Sequence, residues 1–291
     1  MTTETDWGGA PRALRMILGR RLAELRIRAG LGYAEAATAI GVSHSTIRRM
    51  EAATVARLRL ADAEKLLQVY GMTDRREIDA FLRSVREANK RGWWHGYRDV
   101  MPDWCAAYLS LEQAADHIVG YGNQCVPGLL QTERYARALL RATHPHAPAE
   151  AVERRVAVHM RRQRLLARTE PPRVRVVMDE TVLRRTVGGP AVMRAQIDHL
   201  VEIGRLPHVT VQLMPFAHGP HPATPAAACH LFRFRARELP DTVFVDGLLG
   251  AAHVDKPEHV DSYRQALDRL AAQAAPAART ETLLGAIRGE L

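Results

Sequence analysis

Residues 43–49 concentrate side chains that form hydrogen bonds with nucleic-acid bases. The segment reads SHSTIRR, and Ile47 and Met50 have the spacing that places two side chains on the inward face of one helix. The outward face then presents His44, Ser45, Arg48 and Arg49. Arginine donates two hydrogen bonds to O6 and N7 of guanine, while histidine and serine donate or accept at several bases. This pattern predicts a helix that reads bases in the major groove of DNA.

Positive charge is concentrated around this segment. A further set of arginines is suited to phosphate groups: Arg20, Arg21, Arg28, Arg57 and Arg59. Residues 1–90 hold 16 Lys and Arg against 11 Asp and Glu, so more than half of the chain's net charge of +9 lies in under a third of its length. Such clustering favours an anionic partner. The alternative interpretation is an ordinary helical bundle whose charged face is solvated.

A compact all-α domain is needed to present such a helix. Leucines at a helical period from Leu14 predict a first helix, and further helices are predicted over about 33–40, 44–52, 60–70 and 74–90. Gly41 turns the chain between the second and third helices, and Ser43 has the chemistry to cap the third. We therefore predict a five-helix helix-turn-helix domain over residues 14–92, preceded by a flexible tail at residues 1–13.

The remainder of the chain, residues 93–291, alternates helical stretches with short β-type runs. The runs are residues 174–178, 209–213, 230–234 and 242–246, separated by stretches of helical period. Strands separated by helices predict an α/β unit with a mixed sheet, so the expected fold class is α + α/β. Because fewer than 95 residues suffice to bind DNA, we expect this second domain to serve dimerisation and regulation.

The composition excludes several classes of protein. The 291 residues are 47% hydrophobic and 25% charged, which is typical of globular proteins and excludes collagen, coiled-coil rods and wholesale disorder. Three separated cysteines form no disulfide framework, and no run approaches the roughly 18 apolar residues of a membrane helix. The amino terminus lacks the pattern of a signal peptide. We expect a soluble, cytoplasmic protein associated with the nucleoid.

Residues 31–51, LGYAEAATAIGVSHSTIRRME, resemble the helix-turn-helix of the Xre-type, lambda-repressor-like regulators. The resemblance implies that His44, Ser45 and Arg49 read bases. It also implies an internal salt bridge between Arg26 and Glu51, which we assign to structure. The expected contacts with the DNA backbone come from Tyr33, Ser43, Thr46, Arg48, Arg57 and Arg59.

Two positions depart from the Xre-type pattern. Tyr33 stands where the family usually has a glutamine that contacts DNA, and it lacks the bidentate amide, so we expect stacking or a phosphate contact. Ala53 stands where the family commonly has glycine after the third helix. A left-handed cap would be strained for alanine, so we expect a differently shaped turn there.

The stretch VPGLLQT at residues 126–132 is similar to a group of actinomycete regulators that join an Xre-type domain to a carboxy-terminal domain of unknown function. Further stretches agree in the same order: residues 92–94, 109–112, 161–166, 178–180, 187–189 and 211–215. The group is called antitoxin-like because its genes often neighbour one for a small partner protein. The resemblance implies a developmental or antibiotic-linked transcription factor. The alternative is an interaction protein that sequesters such a partner and binds DNA only incidentally.

Candidates for catalysis or metal binding are few. Asp179 and Glu180 form a carboxylate pair, but Asp179 lies between a strand and a helix, where it suits a helix cap. Zinc ligands occur in the pattern H-x-x-H…C-H: His218, His221, Cys229 and His230. The prolines and glycine between them indicate an irregular loop, which is more typical of a ligand pocket or a protein interface than of a zinc site. The Arg161–Arg164 cluster indicates a solvated face or a site for an acidic partner. We expect the protein to have no enzymatic activity and to bind no metal or cofactor.

One short reading helix covers only a few base pairs. Useful specificity then requires two half-sites related by two-fold symmetry. The sequence as a whole predicts a homodimeric, sequence-specific transcriptional regulator on a near-palindromic operator. A small partner protein or ligand bound to the second domain would control it.

Overall fold

The computed structural model of this chain describes residues 11–237, 239–247 and 250–291. Most of the predicted tail at residues 1–13 lies outside the described residues, and its last three residues belong to the first helix. The chain divides into two compact units. Of the described residues, one unit comprises 11–95, 106–114, 235–237 and 239, and the other comprises 96–105, 115–234, 240–247 and 250–291.

The first unit contains the five predicted helices. They are α1 (Pro11–Arg28), α2 (Tyr33–Ile40), α3 (His44–Glu51), α4 (Leu60–Val69) and α5 (Arg75–Ala88). A 3-10 segment, Trp93–Tyr97, and α6 (Asp103–Ala114) follow along the chain. The core collects the periodic apolar side chains, including Leu22, Ile47, Leu67 and Val85. The prediction of an all-α helix-turn-helix region is confirmed.

Local sequence signals set the ends of these helices. Gly41 adopts a left-handed φ of 74° and ends α2. The Ser43 hydroxyl then accepts a hydrogen bond from the Thr46 N–H at 3.2 Å and caps α3. In the same way, Asp74 accepts from the Arg76 N–H at 2.8 Å and caps α5. The short turn that contains Gly41 and Ser43 brings α2 and α3 together as a helix-turn-helix.

The turn after α3 corrects the expectation for Ala53. This alanine adopts the left-handed conformation that glycine usually supplies, with φ 54°. Its N–H donates to the Met50 carbonyl at 3.2 Å, and the Thr54 N–H donates to the Arg49 carbonyl at 3.0 Å. These two bonds form a Schellman motif, which satisfies carbonyls at the end of the helix. The turn is therefore not reshaped, and the alanine carries the strain.

The second unit contains helices and one mixed sheet. The helices are α7 (Glu133–Thr143), α8 (Ala149–Gln163), α9 (Thr181–Arg184), α10 (Pro190–Gly204), α11 (Pro257–Gln273) and α12 (Ala277–Gly289). The strands are β1 (His117–Gly122), β2 (Arg173–Asp179), β3 (Val209–Met214), β4 (Cys229–Arg233), β5 (Thr242–Gly247) and β6 (Gly250–Val254). Short 3-10 segments are Gly128–Leu130, Arg164–Ala167 and Phe216–His218. The predicted α/β domain with a mixed sheet is confirmed.

The strand order in the sheet is β3-β2-β1-β4-β5-β6. Strands β1, β2 and β3 run parallel, and β4, β5 and β6 are antiparallel to their neighbours. The central strand β1 was not predicted, nor were β6 and α9. Because β1 reads HIVGYG, its two glycines hide the apolar pattern of a buried strand.

Helix α11 covers one face of the sheet. Alternate residues of the strands, including Tyr121, Val177 and Leu231, form a buried cluster with Leu267 of this helix. The outer edge of β3 is covered by α12 and the segment before it. The Leu213 N–H donates to the hydroxyl of Thr280 in α12 at 3.2 Å, and the N–H of Ala275, before α12, donates to the Leu213 carbonyl at 2.9 Å. Such cover protects a sheet edge from pairing with another chain.

Side-chain amides of the second unit bind the backbone of the PGLLQT segment, residues 127–132. Gln131 donates to the Val126 carbonyl at 2.6 Å, and Gln196 donates to the Leu130 carbonyl at 2.7 Å. Gln163 donates to the carbonyls of Gly128 and Gln131 at 3.1 Å and 2.6 Å. The motif contains the 3-10 segment Gly128–Leu130, and glutamine side chains bind several of its backbone carbonyls, which gives it a structural role.

No helix in the described ranges has both the length and the apolar character that crossing a bilayer requires.

Candidate nucleic-acid interface

Helix α3 presents the two faces that its spacing predicts. Ile47 and Met50 are buried, with 0% and 3% of their surface exposed. The opposite face exposes His44, Ser45, Arg48 and Arg49. Four polar side chains on one exposed face of a helix can enter the major groove and contact base edges. The inward face is confirmed, and the contacts with DNA stay predictions.

The hydroxyl groups at the start of α3 form a cluster. Besides capping the helix, the Ser43 Oγ lies 2.9 Å from the Ser45 Oγ and 2.9 Å from the Thr46 Oγ1. Ser43 therefore has a capping role, and the DNA backbone contact predicted for it would have to share the same hydroxyl. The cluster fixes Ser45 and Thr46 at the amino end of the helix, where an anionic phosphate is favoured by the backbone N–H groups.

Arg26 and Glu51 form a buried ion pair between α1 and α3, as the resemblance implies. Arg26 Nε and Nη2 donate to the two Glu51 oxygens at 2.7 Å and 3.0 Å, and only 9% and 6% of the two side chains are exposed. Arg26 Nη1 also donates to the Leu31 carbonyl at 2.8 Å. These hydrogen bonds with Glu51 raise the pKa of Arg26. The pair joins α1 to α3, which is a structural role.

Helix α1 passes close to the end of α3 beside this pair. A Cβ on Gly19 would lie 2.4 Å from the Glu51 carbonyl oxygen and 2.8 Å from that of Met50. Only glycine permits this approach of one helix to the backbone of the other. Position 19 therefore fixes how near α1 lies to α3.

Tyr33 lies against two arginines, a contact that the sequence pattern does not reveal. The centroid of its ring lies 4.1 Å from Cζ of Arg26 and 5.9 Å from Cζ of Arg48. Tyr70 lies near the same ion pair, and burial raises the pKa of its phenol. The residue types are visible in the sequence, but their contact depends on how three helices pack, which spacing along one helix does not reveal.

The segment between α3 and α4 exposes the two other predicted backbone contacts. Arg57 and Arg59 are exposed on either side of Leu58, which is buried. The amide of Asn89 holds this segment: the Leu58 N–H donates to it at 3.1 Å, and its Nδ2 donates to the Leu58 carbonyl at 2.7 Å. Arg59 also lies 3.8 Å from Asp62. An anchored backbone with two outward arginines suits contact with phosphates.

The carboxylate pair at the end of β2 is used by the fold. Asp179 accepts from the Thr181 N–H at 2.9 Å and lies one residue before Glu180, which is the N-cap residue of the short helix α9. The carboxylate therefore binds the first turn of α9, but Asp179 is not its N-cap as predicted. Glu180 accepts from the Phe216 N–H at 2.9 Å and from Arg184 Nε at 2.9 Å. Both carboxylates bind backbone N–H groups in the described chain, which is typical of structural residues.

The histidines and cysteine of the 218–230 loop do not converge. His221 Nδ1 accepts from the Ala223 N–H at 3.3 Å, and its Nε2 faces Asp179 at 3.6 Å. Cys229 and His230 are neighbours in β4, so their side chains point to opposite faces of the sheet. Burial raises the pKa of Cys229 to about 12. Within the described residues, no group of three or more His, Cys, Asp or Glu could hold a metal ion.

Comparison with known families divides the chain in the same order. Residues 17–81 match a family described as a helix-turn-helix domain. Residues 105–286, which are more than half of the chain, match a family described as a domain of unknown function (DUF5753). Neither a curated protein nor a solved structure matches the chain.

Proposed function

This chain belongs to the DUF5753 family and carries a helix-turn-helix domain, and from that premise we propose that it is a sequence-specific, Xre-type transcriptional regulator. The helix-turn-helix domain suggests a DNA-binding regulator. The exposed polar face of α3 above a buried Ile47 and Met50 is the observation that supports base reading by this helix.

The contacts with DNA divide into two kinds. We assign base contacts to His44, Ser45 and Arg49, because these side chains leave the exposed face of α3 with donors for base edges. Contacts with phosphates are assigned to Ser43, Thr46, Arg48, Arg57 and Arg59, and Tyr33 takes part through its contact with Arg48. Phosphate contacts fix the position of a protein on the duplex, whereas base contacts distinguish one sequence from another.

The regulator acts as a homodimer in this proposal. An eight-residue reading helix covers only a few base pairs, so two copies on half-sites about 34 Å apart are needed for useful specificity. The operator is near-palindromic because the two copies are related by a two-fold axis. The DUF5753 domain holds the copies together and binds a small regulatory protein or ligand that changes the separation of the reading helices.

The same proposal places the protein in the cytoplasm, on the nucleoid, and assigns it no catalytic role. The best carboxylate pair, Asp179 and Glu180, is hydrogen-bonded to backbone groups, which supports structural use. A second domain that serves to bind a small regulatory protein needs no catalytic residues.

A gel-shift titration at fixed salt tests the proposal. The protein is expected to bind its own promoter at least about 10³-fold more tightly than a scrambled fragment. Arg49→Ala should weaken promoter binding by about 1–3 kcal/mol and relax specificity at one base position. The matched control is Arg83→Ala, which removes the same charge from an exposed site on α5.

Two outcomes would count against the proposal. Equal affinity for promoter and scrambled DNA, together with co-purification of the neighbouring gene product, favours an antitoxin-like protein that sequesters its partner. Equal losses from Arg49→Ala and Arg83→Ala would show that α3 contributes charge only.

A further inference from the structure

Tyr33 lies where α1, α2 and α3 meet. It is the first residue of α2, Arg26 belongs to α1, and Arg48 belongs to α3. The ring centroid lies 4.1 Å from the Arg26 Cζ and 5.9 Å from the Arg48 Cζ, and 38% of the tyrosine is exposed. Both distances are within the range of cation–π contacts.

One of these arginines is buried and hydrogen-bonded, and the other is exposed. Arg26 is held by two hydrogen bonds to Glu51 and by a third to the Leu31 carbonyl. It therefore gives the tyrosine ring a rigid, charge-compensated support. Arg48 lies on the exposed face of α3, and in the described part of the chain no carboxylate lies within ion-pair distance of it.

The way in which Arg48 is held leaves its donors accessible. A cation–π contact attracts the charge of a guanidinium to the ring without a hydrogen bond to its N–H groups. A carboxylate partner would occupy those same N–H groups and would cancel the charge. The tyrosine restrains the side chain and leaves both its N–H groups and its positive charge available.

We propose that Tyr33 is a positioning residue that holds the Arg48 guanidinium ready to bind a phosphate of the DNA backbone. The inference rests on the proposed function and deepens it, because it gives Tyr33 a role other than direct contact with DNA. A free arginine side chain loses its rotamer freedom when it binds a phosphate. The tyrosine removes part of that freedom before DNA arrives, and pre-organisation of this kind increases affinity.

A double-mutant cycle with the full chain and its own promoter tests the coupling. Tyr33→Ala should weaken binding by about 2- to 5-fold, which corresponds to an exposed cation–π contact. Arg48→Ala should reduce the slope of log affinity against log salt by about one. In the Arg48→Ala background, Tyr33→Ala should have no further effect. A parallel cycle with Arg49→Ala is the control, and its two losses should be additive.

Conservative variants separate the ring from the hydroxyl. Tyr33→Phe keeps the ring and should bind within about twofold of the wild type, whereas Tyr33→Leu keeps apolar volume and should lose as much as Tyr33→Ala. Circular dichroism of each variant checks folding, since Tyr33 also lies against Arg26. Losses of equal size with and without Arg48, or a Tyr33→Phe variant as weak as Tyr33→Ala, would overturn the proposal.

A measurement without DNA distinguishes this inference from the proposed function. In the free protein, the Tyr33 ring should shift the Arg48 side-chain proton resonances upfield, and Tyr33→Leu should abolish that shift. If the wild type does not prefer its promoter, the proposed function fails while the proton shift still reports on the contact. If the shift is absent, the positioning role fails even where promoter binding is specific.

Discussion

The ion pair between Arg26 and Glu51 should be the most sensitive point of the DNA-binding unit. Glu51→Ala leaves the Arg26 guanidinium in a site where 9% of its side chain is exposed, without the carboxylate that accepts two of its hydrogen bonds. Removing one partner of a buried pair costs about 3–5 kcal/mol, because the remaining charge is neither solvated nor compensated. We expect a loss of this size for either single substitution.

Replacing both partners should cost less than replacing one. Met at position 26 and Leu at position 51 approximate the volumes of the native side chains, and exchange of a buried ion pair for apolar residues is often close to neutral. The Arg26→Met/Glu51→Leu double variant is therefore expected to be more stable than Arg26→Met or Glu51→Leu alone. The Leu31 carbonyl loses a donor in the double variant, so some loss persists.

Hydrogen exchange of the full chain measures this effect within one unit. If exchange follows opening of the unit, a loss of about 3–5 kcal/mol accelerates exchange of the α1 and α3 amides by about 150- to 4,000-fold. The amides of β2 serve as an internal reference in the second unit. A change below about tenfold for Glu51→Ala, or a double variant less stable than both singles, would refute the assigned role of the pair.

Two further changes test features of the backbone and of burial. Ala53→Gly should increase the free energy of unfolding by about 0.5–1 kcal/mol, because the strain energy that it removes is larger than the entropic cost of glycine. Chemical denaturation measures this change. Ala52→Gly, at φ −79°, should instead destabilise the protein, and equal effects at both positions would contradict the strain. Burial lowers the pKa of His159 to about 3, and the charge of Arg162 adds to this. In the unfolded chain the histidine has an ordinary pKa near 6.5, so it binds a proton at pH values where the histidine of the folded state stays neutral. The free energy of unfolding is therefore highest above about pH 6.5 and falls by about 2 kcal/mol by about pH 5. Denaturation at both pH values should show a smaller change for His159→Gln, and an unchanged pH slope would exclude this histidine as its source.

The sequence predicts the helical unit well because its signals are local. Each of the five helices has an apolar period, and caps such as Ser43 and Asp74 mark where two of them begin. The contact of Tyr33 with two arginines was not predicted, because it joins side chains from three helices. The expectation for Ala53 was wrong because hydrogen bonds to the Arg49 and Met50 carbonyls outweigh the strain of one residue.

The second unit shows where local patterns fail. Four strands were predicted from β-branched and aromatic residues, but β1 and β6 contain glycine and alanine and are defined by the partners on the sheet. The zinc pattern at residues 218–230 is also not brought together. Adjacent residues in a strand face opposite sides, and His221 is held by a backbone N–H and Asp179.

The central claim is that α3 reads base edges through Arg49. The most direct test is a binding profile in which every operator position is substituted in turn, measured at fixed salt for the wild type and for Arg49→Ala. We predict that the wild type prefers guanine at one position of each half-site by about 1–3 kcal/mol, and that Arg49→Ala loses this preference there and keeps the rest of the profile. Identical profiles for the two proteins would contradict base reading by this residue.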